Sequence, residues 1–126
     1  MPLRTFLRAK IHRAVVTAAD LDYVGSITLD PELMEAAHLD HLEQVDVYDI
    51  TNGARLTTYI LRGERGSGEV QINGAAAHLV RPGDLVIITA FTQLAPDEIE
   101  AFSARVVLVG ENNRVERVLE MGPGVV

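Results

Sequence analysis

Apolar and polar positions along the chain alternate with a period near two more often than with a helical period, the pattern of half-buried strands. Seven short runs carry it: residues 10–17, 45–51, 54–61, 69–73, 85–91, 104–109 and 114–120. Most are rich in Val, Ile and Thr, whose branched side chains suit a pleated surface. Turn chemistry separates them, at Asn52-Gly53, Asn73-Gly74, Pro82-Gly83-Asp84 and Gly110 through Asn113. Asn52-Gly53 between two such runs predicts a hairpin, because these residues tolerate the positive φ that tight hairpin turns require. Ile27-Thr28-Leu29, after Gly25-Ser26, is also strand-like. Two short helices are predicted. Asp30 can cap and Pro31 can open Pro31–Ala37, and Pro96-Asp97-Glu98 can open a turn or two running to Ser103. Short strands, tight turns and little helix predict a mainly β fold, a closed or nearly closed barrel.

Composition narrows the class. One chain of 126 residues, 48% apolar and 23% charged, is a single globular domain spanning 1–126, with no repeat or linker and a loose tail at 122–126. No Cys is present, which removes disulfides, thiolate zinc sites and a thiol nucleophile. A net charge of −7 repels phosphate backbones, and 5% aromatics without Trp offer no stacking platform, so nucleic acid is not an expected partner. No signal-peptide core and no apolar run long enough to span a bilayer is visible, so no membrane is expected and the cytoplasm is the default location.

The sequence holds no Walker loop, dinucleotide fingerprint, nucleophile elbow or zincin motif. His38 and His41 have the i, i+3 spacing of metal ligands but fall at or beyond a helix end, so solvated side chains and no metal are expected. The glycine-rich stretch Arg62–Gly68 precedes a strand rather than a helix and reads as a flexible connector. Lys10 is the only lysine among eleven basic residues. A compact ammonium at that one position suits a point-charge contact to a carboxylate. Strand alternation puts Lys10 and His12 on one face, followed by Ala14 and Val16. Gly25-Ser26 is a turn pair on the plain reading. On the chemical one, a hydroxyl follows an unshielded glycine carbonyl that it can attack. Arg55 through Tyr59 reads as a strand with exposed hydroxyls. Three successive alanines in Asn73-Gly-Ala-Ala-Ala-His78 either pack tightly or let a ligand approach the main chain.

These stretches, in order, resemble the pyruvoyl-dependent aspartate 1-decarboxylases. The matching residues are Ala9 through Arg13, Ala19 through Tyr23, Gly25-Ser26, Asp46 through Tyr59, Glu64 through Ser67, Asn73 through His78 and Pro82 through Asp84. Val24 departs from the pattern, since many members carry an acidic residue there. The resemblance implies a double-psi β-barrel that assembles as a homotetramer, with sites between neighbouring subunits. It also implies a proenzyme that cuts itself between Gly25 and Ser26, into 1–25 and 26–126, leaving a pyruvoyl group derived from Ser26. Thr58 would polarise the Gly25 carbonyl. The ketone would then condense with L-aspartate and promote loss of CO₂ to give β-alanine, a pantothenate precursor, with Tyr59 as the proton donor.

By the same resemblance Lys10, His12, Arg55, Thr58, Gly74, Ala75 and Ala76 contact substrate, with Tyr23 and Asn73 in support. No metal is implied, and whether a maturation factor assists cleavage is left open. One tension stands: alternation puts Arg55, Thr57 and Tyr59 on one strand face and Thr58 on the other. A bulge, a strand end or contributions to two subunits' sites would reconcile them. Two rival readings remain. One is a serine hydrolase using Ser26 with His12 or His78; the other is a non-catalytic β-barrel binding or interaction module.

Overall fold

The computed structural model describes residues 2–122. The expected loose tail therefore lies, beyond Gly122, outside the described residues. Among the described residues nine strands form, in chain order: β1 (Arg4–Val15), β2 (Ala18–Asp20), β3 (Ser26–Leu29), β4 (Gln44–Asp49), β5 (Arg55–Arg62), β6 (Val70–Asn73), β7 (Leu85–Leu94), β8 (Ala104–Val109) and β9 (Val115–Met121). All seven expected runs are present. β2, three residues long, carries too short a pattern to be read from sequence. The sheet order is β2-β6-β3-β5-β4-β7-β1-β8-β9, so its hydrogen bonds do not close into a ring and β2 and β9 are its ends. Three pairs, β1·β8, β3·β5 and β2·β6, are parallel and the other five antiparallel.

Local rules account for several junctions. Asp30 caps α1 (Pro31–Ala37) by accepting from Glu32 N, with Pro31 in the first turn. Tyr48 pairs with Arg55 across the expected hairpin. The connection is a longer loop than a two-residue turn. The Asp49 carboxylate accepts from Thr51 N and Asn52 N, and Gly53 adopts φ +81°. The second expected helix shrinks to a 3-10 turn, Pro96–Glu98. Glu98 caps it by accepting from Ala95 N, and the chain then turns again at Phe102 N to Ile99 O. That second turn brings Phe102 to 6.5 Å from the Phe6 ring. Packing at this edge therefore replaces further helix.

The core lies on one side of the sheet. Ala9, Ile11, Ile27, Leu29, Val45, Val47, Ile60, Val70, Ile72 and Ile88 are almost completely buried there, covered by Leu33 and Met34 of α1. Burying the Val, Leu, Ile and Met side chains among these stabilises the fold by roughly 1.5–3 kcal/mol each. The stretch Arg62–Gly68 is not a free connector. Asp30 reaches across to accept from Gly66 N at 3.0 Å and Gly68 N at 2.8 Å. Asn113 Nδ2 donates to Gly68 O at 2.8 Å.

Candidate active site

β3 begins at Ser26, which pairs with Asn73 of β6, while the next pair, Ile27 with Ile72, belongs to the core. Ser26 and Asn73 therefore share the opposite face, and both are fully buried. Asn73 Nδ2 donates to Ser26 Oγ at 2.9 Å and to Thr28 Oγ1 at 3.0 Å. Its Oδ1 accepts from Gln71 Nε2 at 2.7 Å. The Ser26 hydroxyl donates to Val24 O at 2.9 Å. No histidine among the described residues is hydrogen-bonded to Ser26, so the serine hydrolase reading finds no base.

Above this buried serine the chain is open: Tyr23, Val24 and Gly25 are exposed. Gly74 holds the segment from the other side. It adopts φ +69°, and a Cβ there would lie 2.6 Å from Gly25 Cα and 3.2 Å from Tyr23 O. Only glycine permits that approach. Gly74 opens a 3-10 turn, Gly74–His78, which is the form taken by the three alanines; Ala75 is exposed and Ala76 half-buried. Asn52 Nδ2 donates to Leu79 O at 2.7 Å, tying the loop before Arg55 to the end of this turn.

Ladder registers extend the Ser26 face across the sheet. Ile27 pairs with Ile60 in parallel, so Gly25 and Ser26 lead into that rung beside Thr58 and Tyr59. Lys10, Thr89, Asp46 and Thr57 form one transverse row, and His12, Ile87, Tyr48 and Arg55 the next. Arg55 stacks over the Tyr48 ring at 4.2 Å, a cation–π contact. Thr57 donates to Asp46. A shallow concavity of about 220 Å³, lined by Asp46, Tyr48, Arg55, Leu56 and Thr57, lies on this face.

β5 runs against β4 without a register shift from Arg55 to Tyr59, which removes the bulge that would have reconciled its side chains. Thr58 pairs with core-facing Val45, opposite to Arg55 and Tyr59. A bulge does occur in β1. Between His12 and Ala14 the register shifts at Arg13, whose φ is +69°. Lys10 and His12 do share a face, but Ala14 and Val16 return to the core instead of continuing it. His12 is left with Nδ1 buried and unpartnered. Desolvation, then the charges of Lys10 and Arg13, hold its pKa below the ordinary histidine value, so it offers a neutral imidazole.

The family model for aspartate decarboxylase matches residues 2–116. The chain belongs to the aspartate decarboxylase family. Membership supports decarboxylation of aspartate as the reaction, and it covers every element from β1 to the start of β9. In this decarboxylase the histidines first weighed as metal ligands are engaged elsewhere. His41 Nδ1 accepts from Arg62 N, and His38 takes the left-handed cap position of α1. Among the described residues no three His, Asp or Glu side chains gather as a metal site. No helix among them is long and apolar enough to cross a membrane.

Sequence reasoning missed Gln71 and Thr28, the two side chains that complete the Asn73 network. The available signal was the i, i+2 spacing of Gln71 and Asn73. It also missed the buried acid Asp49, whose pKa is raised by desolvation and by the facing Asp84, while Asp84 is lowered in turn. Asp49 Oδ2 is buried without a hydrogen-bond partner, and of the two carboxyls Asp49 is the one that keeps a proton to the higher pH.

Proposed function

We propose that this decarboxylase matures by cutting its own chain between Gly25 and Ser26, then converts L-aspartate to β-alanine. The observation that carries this reading is the Ser26 hydroxyl. It is buried, held by a side-chain N–H, and set directly after an exposed glycine in a chain of this family.

The chemistry follows from serine's oxygen. Oγ adds to the Gly25 carbonyl carbon as its proton passes to the Ser26 nitrogen, and the C–N bond breaks to leave an ester. Loss of the Ser26 Cα proton and cleavage of the Cβ–Oγ bond then release residues 1–25 as a carboxylate that keeps Oγ. Water adds to the remaining dehydroalanine and ammonia departs, which leaves a ketone at residue 26. Thr58 lies two residues before Ile60, the β5 partner of Ile27, on the face of β5 opposite Tyr59, and its hydroxyl is the donor we assign to the Gly25 carbonyl. The surroundings suit such a group: Asn73 supplies a buried N–H at residue 26, and Gly74 keeps the approach free of side-chain bulk.

A pyruvoyl group there supplies an electron-withdrawing carbonyl for the substrate amine. The chain's own residues do the rest. Lys10 and Arg55 receive the two carboxylates of aspartate, Arg55 as a planar fork and Lys10 as a point charge. Neutral His12 adds a hydrogen-bonding nitrogen rather than a third charge. The main chain of Gly74, Ala75 and Ala76 borders the substrate, Tyr23 supports the loop, and Tyr59 returns a proton to the carbon that loses CO₂.

Lys10 and Ser26 are four strands apart, about 19 Å measured along the sheet at the usual interstrand spacing. That separation supports a site completed by a second copy, hence the homotetramer, with the polar face as the shared surface. The three parallel pairs support a double-psi barrel. β-Alanine for pantothenate, made in the cytoplasm, is the role we infer. L-aspartate is the small-molecule partner. Ser26→Ala tests the reading: a folded, uncut, inactive chain is expected, and activity in that variant would exclude it.

A further inference from the structure

A carboxamide has two ends of nearly equal size, and only one of them donates. Asn73 must present nitrogen to Ser26, because the Ser26 proton is already committed to Val24 O and the oxygen has only lone pairs left to offer. Nothing in Asn73 itself enforces that choice. Its neighbours do. Gln71 stands two residues earlier on the same face of β6 and donates Nε2 to Asn73 Oδ1 at 2.7 Å. Thr28, paired with Gln71 across β3, accepts the second Nδ2 proton at 3.0 Å. A flipped carboxamide would set its NH₂ against that of Gln71 and its oxygen against the lone pairs of Ser26.

We propose that Gln71 and Thr28 are positioning residues for self-cleavage: they fix the Asn73 carboxamide so that an N–H points at the oxygen on which charge develops. The proposal deepens the cleavage reading above and rests on it. When the Cβ–Oγ bond of the ester breaks, the electron pair stays with Oγ, which leaves as part of the Gly25 carboxylate. The Cα proton goes to solvent or a neighbouring base, and no oxidant is involved. An N–H already within 2.9 Å of Oγ stabilises that charge without rearrangement. Gln71 touches neither the Gly25–Ser26 bond nor a reacting atom and acts only through Asn73.

The test follows cleavage of freshly synthesised full-length chain by denaturing mass spectrometry, with wild type in parallel at each pH. Gln71→Glu replaces the donor by an acceptor and forces the flip, so cleavage near pH 8 should slow by about a hundredfold, the usual loss for one oxyanion donor. As pH falls through the ordinary glutamate range, to about 4, the new carboxyl gains a proton and donates to Asn73 Oδ1, so its rate relative to wild type should recover. Charged or titratable neighbours are Asp20 of β2, in register with Asn73, His78 at the end of the 3-10 turn, and Glu69, two residues before Gln71, whose carboxylate and the Thr28 methyl both border Gly63. All are present in wild type and cancel in the ratio.

Gln71→Leu, of similar size without the donor, should slow cleavage by a factor that does not change with pH. Thr28→Val should slow it less than Gln71→Glu. Gln71→Glu cleaving within about twofold of wild type, or slowed by a pH-independent factor, would overturn the positioning role. A wild-type chain that never cuts would instead overturn the cleavage reading on which it stands.

Discussion

Gly74 lies against Gly25 so closely that a side-chain carbon on Gly74 would stand 2.6 Å from Gly25 Cα and 2.8 Å from Gly25 N. Gly25 itself has nothing within 4 Å of where its own Cβ would stand. The two glycines therefore fail differently. Gly74→Ala combines a steric clash with left-handed φ and should cost about 1–3 kcal/mol while displacing the cleavage segment. Gly25→Ala should keep wild-type stability to within about 0.5 kcal/mol. Thermal melts of the two variants check this; equal stabilities would contradict the close approach.

Tyr59→Phe removes a hydroxyl from the outer face of β5 and leaves its ring in place. Chain cutting should continue, because Ser26, Asn73 and Thr58 are untouched, while β-alanine formation should fall by about a hundredfold or more. The split between normal fragment masses and lost product is the readout. Unchanged product formation would remove Tyr59 from the proton-donor role.

Asp30→Ala removes one carboxylate that serves two elements. It caps α1 through Glu32 N and anchors Gly66 N and Gly68 N. Losing the cap and leaving two loop N–H groups without their partner should cost about 2–4 kcal/mol. The backbone N–H groups of Glu32, Gly68 and Gly66 outweigh desolvation and hold its pKa below the ordinary carboxylate value. Its stabilisation is thus present above that ordinary value and lost as pH falls through the folded one. Acid melts of wild type against Asp30→Ala should converge; curves separated by a constant interval would refute the assignment.

Asp49 runs the other way. Its folded pKa is raised, first by desolvation and then by Asp84, so its stabilisation is full below the ordinary carboxylate value and is lost as pH rises through the raised one. Asn at this position keeps an oxygen for Thr51 N and Asn52 N and places a permanent donor towards Asp84. Asp49→Asn should therefore fold and lose less stability than wild type as pH rises above the ordinary carboxylate value. Parallel pH slopes for the two proteins would contradict the raised pKa of Asp49.

Features written in neighbouring residues were legible in the sequence. Asp30-Pro31 carries its own start signal, and Asn52-Gly53 its hairpin. Lys10 and His12 share a face because alternation holds from Ala9 to His12. It fails one residue later, since a bulge at Arg13 depends on the partner strand's register and leaves no local mark. The same limit hid the loop anchored by Asp30, which joins groups 36 and 38 residues apart. It hid the Gln71–Asn73–Ser26 relay as well, because β6 and β3 meet only after the intervening chain has folded. Gly25-Ser26 and the alanine run were conspicuous, but what brings them together is a glycine whose φ only the fold determines.

Intact mass under denaturing conditions addresses the central claim most directly. Active protein should separate into residues 1–25 and residues 26–126, the second lighter by one ammonia than a fragment beginning with serine. An active sample consisting of one uncut chain, or one whose second fragment begins with an ordinary serine, would contradict it.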